Sequence, residues 1–263
     1  VDLLGREDGE RFCRLFGVTG EGNFEGRSIL YLAAPPDDWA QREGLAPDVA
    51  TALVKSWRER LFSARSRRIR PFRDGKVVTA WNGLMVAALA KGCAATGRTA
   101  WLDAATLAVR AIEGGLTARD GRLLRSRHGG TASGPAFLED YAALVTGLIE
   151  LHAATGDRTY LDRAASLGGE MLRLFGASTG ALYDVGNDAE QLPVRMVGGS
   201  DGVIPAANGL AAVGLFRLAD LTGDDAFRER AAAIVGAFAA KMERQPAGYL
   251  TLIRAAEMLR EQK

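Results

Sequence analysis

NGLMVAALAKGCAATGRTAW at residues 82–101, YAALVTGLIELHAATGDRTY at 141–160 and NGLAAVGLFRLADLTGDDAF at 208–227 are three versions of one unit. In each, a run rich in Ala, Gly and Leu ends at Thr-Gly, and an aromatic residue (Trp101, Tyr160, Phe227) follows after three more positions. Gly at the joint suits the left-handed conformation just past a helix C-terminus, and Asp157 and Asp224 directly after it can accept from the first N–H groups of a new helix. The unit therefore predicts a helical hairpin with its turn at Thr96-Gly97, Thr155-Gly156 or Thr222-Gly223. The turns recur roughly 60–67 residues apart, a period of helical repeat architectures.

The helix before each turn, starting near Asn82, Asp140 and Ala206, is apolar on nearly all faces and reads as buried on most sides. The helix after it carries Asp103 and Arg110, or Asp162, Arg163 and Glu170, or Arg228, Glu229 and Arg230, and so presents a solvated face. Inner and outer helices paired in this way describe an all-α fold, an α/α toroid with hairpins at about 82–115, 138–175 and 205–242. A plain solenoid satisfies the same repeat. The whole chain, 1–263, reads as one toroid region. Residues 1–46 form an irregular lead-in with a short helix, and a helix from Pro47 to Ser66 places Val49, Leu53, Trp57 and Leu61 on one stripe. Short strand-like pieces, Gly121 to Leu124 and Gly180 to Tyr183, occupy matching places between hairpins. A six-hairpin ring at ~60 residues per unit needs well over 300 residues, so about four of six units are expected here.

With 48% apolar and 25% charged residues, the chain has an ordinary globular composition. Its 33 Lys and Arg balance 32 Asp and Glu, which gives no general attraction to nucleic acid or to an anionic membrane. No stretch reaches the ~18 uninterrupted apolar residues of a membrane helix. Cys13 and Cys93 stand apart without metal-type spacing and read as reduced residues of a cytoplasmic protein. The Arg-rich stretch Arg65, Arg67, Arg68, Arg70 and Arg73 follows a helix C-terminus, where cations complement the dipole.

Four ordered stretches carry a family resemblance: Gly22 to Gly26 (GNFEG), Asp74 to Met85 (DGKVVTAWNGLM), Phe137 to Ala142 (FLEDYA) and Asp201 to Asn208 (DGVIPAAN). Together they resemble the spermatogenesis-associated protein 20-like family, whose members join an N-terminal thioredoxin-like domain to a six-hairpin glycosidase-like region. The resemblance covers nearly the whole chain. It implies a toroid similar to N-acylglucosamine 2-epimerases and glycoside hydrolases, and a thioredoxin-like domain upstream of Val1. One departure is Ala206-Ala207, where the family usually has Ser-Gly before the Asn.

Counting back from the turns places Asn82, Tyr141 and Asn208 at equivalent heights, with Trp81 and Asp140 one step earlier. Parallel inner helices gather their N-termini at one mouth, where free N–H groups and positive dipole ends favour an anionic or polyhydroxyl ligand. Asp140 and Asp201 are the expected catalytic pair, since two carboxylates are the apparatus of glycoside hydrolysis, and Glu139 is the alternative acid. Trp81, Asn82, Glu139, Tyr141, Asn208, Lys76 and His128 are the expected ligand contacts, Trp81 as a stacking platform. Asn82, Asp140 and Asn208 fit equally as helix caps, and Trp81 as a core filler. His152, eleven residues past Tyr141, lies about 16 Å along the helix and reads as structural. The expected activity is hydrolysis or epimerisation of a carbohydrate, with no cofactor and no metal. The alternative is a non-catalytic toroid that binds a ligand or partner beside an upstream thioredoxin-like domain. Expected partners are a small carbohydrate-like molecule and the missing N-terminal part of the same protein.

Overall fold

The computed structural model describes residues 2–190 and 193–260, and the chain divides between residues 74 and 75 into two units. The first holds α1 (Arg6–Phe16), α2 (Pro36–Arg42) and α3 (Pro47–Ser66). Pro36 and Pro47 sit in the first turns of their helices, where a missing N–H costs nothing. Leu15, Trp39 and Trp57 form the centre of a small core, the two indoles meeting edge to face at 5.8 Å. The predicted stripe on α3 holds for Leu53, Trp57 and Leu61 and fails at Val49, which is exposed. Steps of four residues drift by about 40° each, which turns Val49 about 80° away from Trp57. The lead-in contains two helices, α1 and α2, where one was expected.

The second unit begins with β1 (Val77–Val78), α4 (Thr79–Thr96) and α5 (Thr99–Gly115), followed by β2 (Leu124–His128) and β3 (Thr131–Pro135). It continues with α6 (Leu138–Thr155), α7 (Arg158–Phe175), α8 (Ala207–Thr222), α9 (Asp225–Arg244) and α10 (Leu250–Arg260). Gly97, Gly156 and Gly223 take φ of 71°, 71° and 75° and close α4, α6 and α8 as the turn chemistry predicts. Asp157 and Asp224 cap α7 and α9 by accepting from the Thr159 and Ala226 N–H groups. The β-strands form one antiparallel sheet in the order β1-β2-β3. Of the strand-like pieces, only Leu124 lies in a strand; Leu123 and Leu182 each make a single bridge, to Thr117 and Gly176.

The inner helices α4, α6, α8 and α10 stand side by side and run parallel, since starts meet starts and ends meet ends. Near the starts, the Ala80 N–H reaches Asp140 and Gly209 lies against Thr251; near the ends, Lys91 and Arg217 both reach Glu150. Glycine sets the spacing of α4 and α6: a Cβ on Gly83 would stand 2.6 Å from the Ala143 carbonyl carbon and the Leu144 nitrogen. The core, with Leu138, Tyr141, Leu148, Phe175 and Phe216 fully buried, lies within this array of hairpins. The fourth inner helix, α10, follows a 3₁₀ turn at Pro246–Gly248 and has no Thr-Gly signature to announce it.

Candidate functional site

Asp140 and Asp201 lie at the mouth formed by the inner-helix N-termini, and both are architectural in geometry. Asp140 is fully buried at the third residue of α6, two residues inside the helix whose start it was expected to mark. Its Oδ1 accepts from the Ala80 N–H at 2.8 Å, and its Oδ2 accepts from the Phe137 N–H at 2.8 Å and from Arg125 at 3.0 Å. Burial pushes its pKa up, and the Phe137 N–H and Arg125 offset only part of that. Asp201 accepts from the Ala206 N–H on Oδ1 and the Thr251 N–H on Oδ2, both at 2.8 Å. Burial works against its charge, but these backbone donors hold its pKa below the usual carboxylate range. Each carboxylate thus bridges the N-termini of two neighbouring inner helices, where unpaired N–H groups and dipole ends favour a negative charge.

Asn208 and Tyr141 are equally committed. Asn208 is fully buried; its Oδ1 accepts from the Leu182 N–H, and its Nδ2 donates to the Leu182 and Gly198 carbonyls. The Tyr141 hydroxyl accepts from Arg122 at 2.9 Å and from the Leu123 N–H at 3.3 Å, and burial pushes its pKa up to about 12. Arg122 also grips Asp188 with two nitrogens and donates to the Ala136 carbonyl. These four residues tie the loops before α6 and α8 to the helices and leave few groups to meet a ligand.

Other candidates remain accessible. Trp81, expected as either a core filler or a platform, is 61% exposed at the start of α4. Asn82 is partly buried in the first turns of α4, and its Nδ2 donates to the Val78 carbonyl. Lys76 is exposed just before β1, and His128 is exposed at the end of β2, in the turn to β3. His152 lies near the C-terminal end of α6 with Nδ1 2.9 Å from the Asp157 carbonyl oxygen. Glu139 is partly exposed and pairs with Arg125 at 2.5 Å; that guanidinium also lies over the Phe137 ring at 4.6 Å.

Two features escaped the sequence reading. The first is Asp184, whose carbonyl accepts from the Leu138 N–H and which therefore sits at the same mouth. Its Oδ1 accepts from the Gly198 N–H at 3.1 Å, and no described residue donates to Oδ2. Burial raises its pKa, the Gly198 N–H opposes this, and the nearby Glu139 charge adds to the rise. The second is a charged layer deeper in the array. Lys91, Glu150 and Arg217 stand tenth in the three repeated strings, each preceded there by nine uncharged residues, and meet side by side through Glu150 Oε1. A comparison of the strings position by position exposes that layer. Glu139 and Glu150 are eleven residues apart, hence on one stripe of α6 and about 16 Å apart along its axis. Among the described residues, no group of three or more His, Cys, Asp or Glu is placed to hold a metal ion, and no helix is long and apolar enough to cross a membrane.

No family model matches the chain. Spermatogenesis-associated protein 20 of Homo sapiens is 32% identical over 269 residues, covering 94% of this chain and 34% of the relative. The Mus musculus protein of that name is 32% identical over 247 residues, covering 89% and 31%. The chain thus spans about a third of the curated relatives it matches. Among solved structures, a GH76 α-mannanase of Bacteroides thetaiotaomicron superposes with a TM-score of 0.58 at 15% identity, over 98% of this chain and 77% of that one. Cellobiose 2-epimerase of Spirochaeta thermophila superposes with a TM-score of 0.52 at 21% identity, over 64% and 44%. These likenesses show the fold, an α/α toroid of the six-hairpin glycosidase type, and the chain belongs to the spermatogenesis-associated protein 20-like family.

Proposed function

We propose that this chain forms part of the wall of a carbohydrate-processing α/α toroid, with acid–base work assigned to Asp184 and Glu139 at the mouth of the inner helices. The observation that carries the reading is Asp184: a half-buried carboxyl with one oxygen anchored and the other unpartnered among the described residues, next to a second carboxylate. Desolvation and a like charge favour the neutral form that a general acid needs, and a second carboxylate at the same mouth can serve as base or nucleophile. Glu139, paired with Arg125, fits that second role. The exposed rings of Trp81 and Phe137 supply apolar platforms for sugar faces. Asp140 and Asp201 hold the helix ends, and Lys76, Asn82 and His128 stand as outer ligand contacts. The names of the mannanase and the epimerase motivate a hydrolase or epimerase reaction on a sugar. We assign this work to the cytoplasm, where free Cys13 and Cys93 stay reduced.

The test is turnover of a panel of aryl glycosides and reducing disaccharides. Asp184→Asn should lower turnover by roughly 10²–10⁴-fold, the range for removal of a general acid. Wild-type activity should fall as pH rises through the raised Asp184 pKa, while Asp201→Asn, which keeps only one of the two oxygens that accept the Ala206 and Thr251 N–H groups, should lower stability without removing the acid–base pair. Full turnover by Asp184→Asn overturns the assignment. A second reading, a toroid that binds without chemistry beside an upstream thioredoxin-like domain, draws support from the commitment of Asp140 and Asp201 to backbone donors. Saturable sugar binding without turnover selects it.

A further inference from the structure

Along the inner face, from the starts of α8 and α10 at Pro205, Leu250 and Thr251 down to the charged layer, α4, α6, α8 and α10 border a hollow of about 290 Å³ that no candidate residue from the sequence lines. Its charged lining is Lys91, Glu150, Arg217 and Arg254, three cations against one anion. We propose that this hollow is a subsite for the oxyanion, carboxylate or phosphate, of a polyhydroxyl ligand. The sugar part of that ligand rests on the carbohydrate reading above, whereas the oxyanion rests on these side chains alone.

Glu150 is nearly buried, and a single oxygen, Oε1, meets both Lys91 Nζ at 3.0 Å and the Arg217 guanidinium. That carboxylate acts as an internal counterion: it holds two cations at the wall and neutralises one of them. Arg254, an exposed residue of α10, lines the hollow and makes no ion pair or hydrogen bond among the described residues, so its donors are open to a ligand. A planar guanidinium beside a second one and an ammonium is the donor set that grips carboxylate and phosphate oxygens. Leu210, Val213 and Leu250 line the rest with apolar surface of the kind that packs on a sugar ring. The Thr146 hydroxyl donates to the Ala142 carbonyl, and its oxygen can still accept. The volume is close to the lower bound of small-molecule sites, about 300 Å³, and suits one monosaccharide derivative.

A purely structural tie among α4, α6 and α8 would use Lys91, Glu150 and Arg217 but has no use for Arg254, and the two ideas diverge in sign at Glu150. The experiment is calorimetric titration of this chain with inorganic phosphate, glucose 6-phosphate, glucuronate and glucose at fixed ionic strength. Phosphate and both sugar anions should bind, the sugar anions more tightly than glucose; the tighter sugar anion identifies the preferred oxyanion. Arg254→Gln should weaken oxyanion binding about tenfold, the equivalent of one charge-assisted hydrogen bond. Glu150→Gln should tighten it severalfold by releasing two cations to the ligand. Unchanged affinity in a folded Arg254→Gln variant, or weaker binding by a folded Glu150→Gln variant, overturns the subsite; should Glu150→Gln not fold, Arg254→Gln decides alone. If phosphate binds and responds to Arg254→Gln, but glucose 6-phosphate and glucuronate bind no tighter than bare phosphate, the anion site stands and the carbohydrate reading falls.

Discussion

The substitution Asn208→Asp changes one side-chain nitrogen into an oxygen at a fully buried position, and its consequence is set by the surrounding carbonyls. The native Nδ2 donates to the Gly198 oxygen at 2.7 Å and the Leu182 oxygen at 2.9 Å, while Oδ1 accepts from the Leu182 N–H at 2.8 Å. In its neutral form the introduced carboxyl keeps the acceptor and has one proton to give, so one buried carbonyl loses its donor, at a cost of about 1–3 kcal/mol. In its ionised form it sets negative charge against two carbonyl oxygens without water. Burial and bonding to the neutral form both raise the folded-state pKa, and a rise of about 3 units from ~3.9 is within the range for fully buried carboxyls. Because the folded pKa lies above the unfolded one, the neutral form's stability is fully present below about pH 3.9 and is lost as pH climbs through the folded value near 7. At about 1.4 kcal/mol per unit, the variant loses a further ~4 kcal/mol across that window. Since typical domains have only about 5–15 kcal/mol in total, it should be close to unfolding at neutral pH. Urea unfolding followed by far-UV circular dichroism, run at about pH 4.5 and at pH 7 beside wild type and Asn208→Ala, reads the effect. Equal destabilisation at both pH values, or a loss under about 1 kcal/mol at pH 7, would refute the claim that Asn208 is a saturated internal clip.

Gly83→Ala should cost about 1–3 kcal/mol, because its methyl group meets the α6 backbone at 2.6 Å, whereas Gly97→Ala at φ 71°, with open space around it, should lose only about 1 kcal/mol of conformational preference. Thermal unfolding of the two variants reverses the argument about helix spacing if their order is opposite. Alkaline spectrophotometric titration should show one tyrosine ionising late, at about pH 12, and Tyr141→Phe should remove that step. A wild-type curve without a late step, or one unchanged in Tyr141→Phe, contradicts the buried phenol.

The hairpins were legible because turn chemistry is local: Gly97, Gly156 and Gly223 need only their own φ, and Asp157 and Asp224 need only the next turn of helix. The mouth was legible in position but not in role. A carboxylate three residues into a helix and one in the loop before a helix look alike as ligands in sequence, and only the fold shows which backbone N–H groups fill their lone pairs. Asp184 gave no local signal, since its environment is built from α6 and the segment around Gly198, distant in sequence. The charged layer was visible in alignment of the three strings, where a lone charge recurs amid apolar residues, yet the sign changes from Lys91 to Glu150 to Arg217 hide it from a search for identical residues.

The bridging carboxylates make neighbouring hairpins depend on one another for folding. Asp140 on α6 accepts from an amide of α4, and the Asp201 carboxyl joins an amide before α8 to one of α10, so detaching a hairpin takes a backbone donor from its neighbour's carboxylate. In a linear array of repeats such terms act as nearest-neighbour couplings, and strong coupling suppresses states in which one repeat is melted while the next stands. The Ala80 and Thr251 amides are therefore expected to exchange their hydrogens only through openings that span two repeats.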